Sequence, residues 1–318
     1  MEKLNKVLED YVFGHEFYDS DEFVAIKKFA EIILNYREPI FYQKLKNRCG
    51  IERSISYTYD FFYNIDKNYG QYFIDRIGSG DFIIEKDKKS SLENSGSFYS
   101  DDLSRKIIYI LSNESICDAF AMVHETLHDK NLDINNLSIT RNMFTEYISM
   151  FGEFLFEDFM KDYLGKQVNY NNNYGFYYCF YKALNVDFQI KLIDCFINNG
   201  QITNWHFNCI LKSYNLKYHN CIMYYYDMIK KNGINLQVEM RYLIGVLLSC
   251  YTSFKLKNNE FSTKDFVDIN DNLNDLEPED IYGILDLDIL DNYTLMLTNE
   301  SCNKLAKSYI MMINSRSR

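Results

Sequence analysis

The stretch Ser115-Ile-Cys-Asp-Ala-Phe-Ala-Met-Val-His124-Glu125-Thr-Leu-His128-Asp-Lys130 sets the pattern His-Glu-x-x-His into a run with helical periodicity. On a helix, residues four apart share one face, a turn apart. His124 and His128 can therefore aim two imidazole nitrogens at one point. Zinc binds such nitrogens at about 2.0–2.1 Å. Glu125 follows His124 directly and can reach a water on that zinc. The metal lowers the water's pKa, and the glutamate takes its proton as general base. Ile116, Phe120, Val123 and Leu127 form the opposite stripe, which would seat the helix in a core. Asn113 or Ser112 offers the N-cap. The competing reading is two helical histidines satisfied by core hydrogen bonds. With five histidines in 318 residues, composition alone produces the motif on the order of 0.005 times, so coincidence explains it poorly.

An open zinc site takes three protein ligands, and no further histidine follows at short range. The third ligand should be a carboxylate from a later helix. Met143-Phe-Thr-Glu146-Tyr-Ile-Ser149-Met-Phe-Gly-Glu153-Phe-Leu-Phe-Glu157 supplies it. Glu146, Ser149 or Met150, and Glu153 recur at three and four, on one face of an otherwise apolar helix. Carboxylates embedded there are costly unless a metal or charge compensates them. Glu146, which follows His124 by 22 residues (146 − 124), is assigned as the third ligand. Glu153, two turns on, would orient a histidine from outside the metal. For Glu153 and Glu157 the alternative is a solvated helix edge.

Outward from these helices, residues 1–70 read as a helical region, with Phe23, Ile26, Phe29/Ala30 and Ile33/Leu34 spaced near 3.6. Residues 71–318 read as the catalytic domain. Tyr72 to Ile77, Gly78-Ser-Gly80 and Asp81 to Glu85 suggest strand, turn, strand. Lys86 to Ser97 reads as a polar loop, and Lys106 to Leu111 as a further strand. A small sheet over 72–112 thus precedes an active-site helix at 115–130, a third-ligand helix at 142–163 and C-terminal helices. Polar loops are expected near 131–141, 165–175 (including Asn169-Tyr-Asn-Asn-Asn173) and 257–280. Phe151–Phe159 and Tyr224-Tyr-Tyr226 lie at helical spacing and read as core. The acidic stretch around 265–291 lacks a calcium-loop pattern and reads as a solvated face and linker. The expected fold is mainly α, a zincin-like metallopeptidase domain with a small β-sheet beside the active-site helix.

Composition narrows the partners. With 34 Lys+Arg against 45 Asp+Glu the net charge is −11, which argues against nucleic acid and anionic lipid surfaces. Two prolines and 13 glycines favour long helices. The eight cysteines form no CxxC pair and read as buried, reduced thiols. The amino terminus carries no signal-peptide pattern, and the longest apolar run, Tyr242 to Cys250, is too short for a membrane span of about 20 residues. A cytoplasmic location is expected.

Phe144-Thr-Glu146-Tyr-Ile-Ser149-Met-Phe-Gly-Glu153 resembles the second motif of the thimet oligopeptidase and oligoendopeptidase F family of zinc peptidases, Glu-x-x-Ser-x-x-x-Glu after His-Glu-x-Gly-His. Arg76-Ile-Gly-Ser-Gly80 and the strand ending at Leu111 are similar to that family's glycine turn and edge strand. Ile281-Tyr-Gly-Ile-Leu-Asp-Leu-Asp288 is similar to its closing helices. The resemblance covers about 76–160, and more faintly 240–315. It implies His124, His128 and Glu146 as zinc ligands and Glu125 as base, in a helical shell around a channel for short peptides. The chain departs from the family at Leu127, where the glycine stood, which should keep a neighbouring element from approaching closely. It departs again at Asn131, and it is much shorter. The family's tyrosine-rich substrate motif survives as Met240-Arg241-Tyr242, making Tyr242 a candidate for the oxyanion. Tyr174, Tyr177, Tyr178, His206 and His219 compete for that role.

The reading is a zinc-dependent peptidase hydrolysing short peptides, with strand 106–111 pairing to the extended substrate. The alternative is a catalytically degenerate scaffold kept as a binding module, motivated by Leu127, the short chain and the sparse tyrosine motif.

Overall fold

The computed structural model of the chain describes residues 1–14, 21–35, 48–86, 95–131, 139–164, 175–290 and 297–316. Of the loops expected near 131–141, 165–175 and 86–97, residues 132–138, 165–174 (with Tyr174) and 87–94 lie outside the described residues, while residues from Ile139 on are helical and Gly96 and Ser97 are in a strand.

Asp66 caps helix α4 (Lys67–Gly78) by accepting from the Asn68 amide, and Tyr69 and Phe73, four apart, are buried on one face. The segment Tyr72–Ile77 is therefore helical, not a strand. Its short alternation of apolar and polar residues is outweighed by a four-residue spacing that begins upstream of it. The helix ends at Gly78, and Gly80 turns the chain at φ +79°, a conformation that glycine adopts without strain.

Strands β1 (Phe82–Lys86), β2 (Gly96–Ser100) and β3 (Arg105–Ser112) follow. Their order is β1-β3-β2, with β1 parallel and β2 antiparallel to β3. Strand β2 lies at the end of the segment expected to be a loop. Its small polar residues carry little strand signal, and pairing with β3 (Gly96 with Tyr109, Ser100 with Arg105) creates it. Strand β3 is central and buries Ile107, Ile108 and Ile110. Both its edges are taken, so it is not an edge strand and cannot pair with a substrate as expected from the sequence.

Helix α5 (Cys117–Asn131) is buried almost all round, as the central rod of the fold. Its first turn is tied to the sheet. Ser112 donates to Asp118 (2.6 Å), as does the Asn113 amide (3.2 Å), and the Cys117 amide is capped by Ser115 rather than by Ser112 or Asn113. Helices α3 (Ile51–Ile65) and α6 (Ile139–Leu164) flank it. Phe61 and Phe120 meet Phe156 edge to face, with centroids 5.1 and 4.8 Å apart.

Helix α7 (Gly175–Asn199) packs against α1 (Glu2–Gly14) and α2 (Asp21–Leu34). After α8 (Asn204–Lys212) and α9 (His219–Asn232), the long α10 (Leu236–Lys257) lies along α6. Helices α11 (Thr263–Asn272) and α12 (Pro278–Ile284) occupy the region expected as a polar loop. A capping box between Ser262 and Asp265 starts α11. Burial of Phe266, Ile269, Ile281 and Tyr282 holds both helices, so the acidic stretch has a core side as well as a solvated one. Helix α13 (Asn299–Arg316) closes against α10. All eight cysteines are free thiols, five of them buried and Cys209 exposed. Tyr226 is core, while Tyr224 points to solvent. Among the described residues no helix is long and apolar enough to cross a membrane.

Candidate metal centre

The carboxyl-terminal half of α5 is held by one buried acid. Asp129 accepts from the Tyr72 hydroxyl (2.6 Å) and faces Arg76 Nε at 2.8 Å, while the Lys106 ammonium donates to its carbonyl (3.1 Å). Asn131 donates back to the Leu127 carbonyl (2.9 Å). Helix α4, the sheet and the end of α5 are thereby locked together directly beside His128.

Leu127 sits against α6 at Gly152. A Cβ built on Gly152 would fall 2.2 Å from Leu127 Cδ1. Leu127 therefore does not hold the neighbouring helix away, because the facing helix carries the glycine instead and its bare backbone receives the leucine. Gly245 on α10 does the same from the other side. A Cβ there would lie 2.9 Å from Met150 Sδ and 3.3 Å from Glu146 Cγ.

Three ligand atoms converge between these helices. His124 Nε2 and His128 Nε2 are 2.9 Å apart. Glu146 places Oε2 at 3.2 Å from His128 Nε2 and Oε1 at 3.6 Å from His124 Nε2. Ligands about 2.05 Å from a tetrahedral zinc stand about 3.3 Å from one another, so these separations fit one ion at the centre. Glu146 is buried, and its Oε1, which faces His124, has no hydrogen-bond partner among the described residues. A buried carboxylate set against two imidazoles with one oxygen unsatisfied is costly without a cation, so the donor set fits a divalent metal. Glu153 Oε1 lies 2.8 Å from His124 Nδ1, a position that fixes the ring and turns Nε2 toward His128 and Glu146. Glu153 and Glu157 are both buried, and Glu157 faces Lys161 at 3.6 Å, so neither is a solvated helix edge.

The electrostatics of the metal-free cluster follow from this crowding. Burial opposes protonation of His124, but the Glu153 contact and the charges of Glu153, Glu146 and Glu125 outweigh it and push its pKa up to about 10. Burial likewise opposes ionisation of Glu146, yet His128, His124 and Arg241 bring it down to about 2. Burial raises the pKa of Glu153. Glu125 is 9% exposed, close enough to bear on both His124 and Glu153.

The other candidates separate clearly. Tyr242 lies at the rim, where the Glu146 charge acts on it. Its hydroxyl accepts from Arg241 Nη2 (3.0 Å), and its ring packs edge-on to Tyr178 at 5.5 Å. Burial pushes its phenol well above the ordinary value, so it stays protonated. Tyr177 packs on Tyr181 instead. His206 closes the capping box of α8 with Thr203, and His219 bonds the Tyr214 carbonyl (3.2 Å), so both serve local structure. Sequence reasoning passed over Arg241 and Lys182, whose significance lies in tertiary pairing. Lys182 sits 4.9 Å over both Tyr178 and Tyr242.

No sequence-family model matches the chain, and no curated protein matches it. A solved structure described as a "putative oligoendopeptidase F", from Bacillus anthracis str. Ames, superposes with a TM-score of 0.52 at 10% identity. The match spans 99% of this chain and 56% of that one. The chain shares its fold with the matched part of that structure. This chain spans little more than half the length of that protein, and at such identity the likeness concerns architecture alone. The mainly α, zincin-like scaffold with a small sheet beside the motif helix is thus the observed fold.

Proposed function

We propose that the chain is a zinc-dependent peptidase acting on short peptides. The observation that carries this is the buried Glu146 carboxylate facing two histidine nitrogens, its Oε1 without a hydrogen-bond partner among the described residues, with all three ligand atoms within 4.8 Å of one another and Glu125 alongside. The oligoendopeptidase-like fold supports it. His124, His128 and Glu146 hold the metal, and Glu153 orients His124. A bound divalent zinc supplies Lewis acidity, polarising a carbonyl and easing deprotonation of a water. Glu125 takes the proton from the attacking water and passes it to the leaving amine. Tyr242, kept protonated by burial, donates a hydrogen bond to the developing oxyanion, while Arg241 fixes its hydroxyl. The eight unpaired thiols favour a reducing compartment, in keeping with the cytoplasm.

Metal analysis combined with kinetics tests the reading. Glu125→Gln should keep stoichiometric zinc and lose at least a hundredfold in kcat, whereas His124→Ala should lose both zinc and turnover. Undiminished cleavage by Glu125→Gln would refute the mechanism. Absence of zinc and of cleavage in the native protein would leave the scaffold as a binding module.

A further inference from the structure

The ring of Tyr242 is flanked by two cations. Arg241 Cζ and Lys182 Nζ each lie 4.9 Å from its centroid, and Tyr178 meets it edge to face at 5.5 Å. Arg241 is its neighbour on α10, and the Arg241 charge also acts on Glu146. Lys182 comes from α7, one turn after Tyr178, and lies 4.9 Å from that ring as well. The ammonium is itself fixed. Glu239, buried on α10 three residues before Tyr242, holds it at 3.0 and 3.2 Å, and Asn185 donates to the same carboxylate (3.2 Å). Tyr178, Lys182 and Asn185 on one helix thus interlock with Glu239 and Tyr242 on the other. Buried ion pairs are commonly no more stable than apolar side chains of similar volume, so stability alone does not account for this one. Its surroundings supply a reason. Tyr178, Lys182 and Glu239 line a cavity of about 730 Å³ between α7, α9 and α10. A ring whose neighbours border open space is not held by close packing, and directed contacts must fix it.

We propose that Lys182 is a positioning residue for Tyr242. Its ammonium, braced by Glu239, holds the phenol ring so that the hydroxyl stays at the rim of the metal centre. The proposal rests on the peptidase reading, in which Tyr242 donates to the oxyanion, and it gives Lys182 and Glu239 a part in that step. Both act only through the ring. A donor must already stand where charge develops, because a hydroxyl that wanders helps only for the fraction of time it is in place. A cation over a tyrosine ring at a partly buried site favours one ring placement by about fivefold to thirtyfold. Loss of Lys182 therefore falls on kcat and spares KM, since the oxyanion exists only in the transition state.

Kinetics of the zinc-loaded protein and fluorine NMR test it together. Lys182→Met should keep zinc content and KM and lose about tenfold in kcat, and Lys182→Arg should recover most of that loss. Lys182→Met/Glu239→Gln leaves no unpaired carboxylate buried, and should show the same loss where the single variant folds poorly. Tyr242→Phe should lower kcat at least as far, and adding Lys182→Met to it should cost less than about twofold more. An equal loss from Lys182→Met with and without the hydroxyl overturns the proposal, as does native kcat in Lys182→Met/Glu239→Gln. Native kcat in Tyr242→Phe overturns it too, while the peptidase reading stands. The ring is also read without turnover, from 3-fluorotyrosine placed at position 242. The zinc-loaded native protein should give one narrow resonance, and its Lys182→Met variant a broadened or divided one. If nothing is cleaved yet the spectra differ in this way, hydrolysis falls and the positioning of the ring by Lys182 stands. Identical spectra overturn the proposal in either case.

Discussion

The seating of Leu127 on Gly152 makes a quantitative prediction. Gly152→Ala would place a methyl carbon 2.2 Å from Leu127 Cδ1 and 3.6 Å from Val123 Cγ1. Carbon atoms rest at about 3.5–4.0 Å, so the leucine or the helix must shift by about 1.5 Å. Leu127 is fully buried, so moving its methyl displaces the side chains packed on it. Overpacking of this severity costs about 3 kcal/mol, at the upper end of its usual range. Replacing glycine by alanine within a helix returns about 1 kcal/mol, for a net loss of about 2 kcal/mol. Leu127→Ala alone leaves a cavity and costs about 2–5 kcal/mol. In that background the clash is gone, and Gly152→Ala becomes stabilising by about 1 kcal/mol, through helix propensity and partial filling of the void. The sign of the same substitution therefore reverses, a coupling of about 3 kcal/mol. Urea unfolding of the four zinc-loaded proteins measures it. Additivity within about 0.5 kcal/mol would refute the packing argument.

The remaining expectations concern charge. Glu153→Ala should weaken zinc affinity by about 10–100-fold while the fold persists, because His124 loses the group that directs its Nε2; chelator competition reads this, and unchanged affinity would exclude the role. In the metal-free protein, His124 is raised from 6.5 to about 10 and Glu146 lowered from 4.5 to about 2. The His124 contribution is complete below pH 6.5 and is lost as pH rises through about 10. The Glu146 contribution is complete above pH 4.5 and is lost as pH falls towards 2. Metal-free stability should thus decline above about pH 6.5, and zinc binding at pH 7.5 should release about one proton, countable by calorimetry in buffers of different ionisation heat; release of none would contradict the assignment. Asp129→Ala leaves Arg76 to Asp81 alone and takes the acceptor from the Tyr72 hydroxyl beside the end of α5, and should cost about 1–3 kcal/mol, visible in thermal unfolding.

What could be read from the sequence was what its physics makes local. Two histidines a turn apart need no tertiary information to be recognised. Glu146 stood out because a carboxylate amid phenylalanines must have a reason to be there. Strand β2 was not legible, because a run such as Gly96-Ser-Phe-Tyr-Ser becomes a strand only when β3 lies beside it. Helix α4 resembles a strand from Tyr72 onward because the spacing that sets its period, Tyr69 to Phe73, begins upstream of that residue. The exchange of a glycine from the motif helix to Gly152 is a relation between two helices, visible in neither alone. Arg241 stands in the sequence within Met240-Arg241-Tyr242, but its charge acting on Glu146 and its bond to the Tyr242 hydroxyl belong to the folded molecule.

The charge inventory of the centre bears on whether it could be mere structure. Glu125, Glu146 and Glu153 are all buried and all bear on His124, and Glu146 faces His128 as well. A histidine pair kept only to fill a core would be satisfied by neutral hydrogen bonds. Three carboxylates would burden it, since apolar side chains of similar volume are generally as stable or better. Without metal the cluster must hold a proton on His124 to remain tolerable, and even then Glu146 Oε1 lacks a donor. One divalent ion would displace that proton and complete Glu146, leaving the charges of Glu125 and Glu153 beside the ligands. The arrangement makes physical sense as a cation site and is hard to justify as packing.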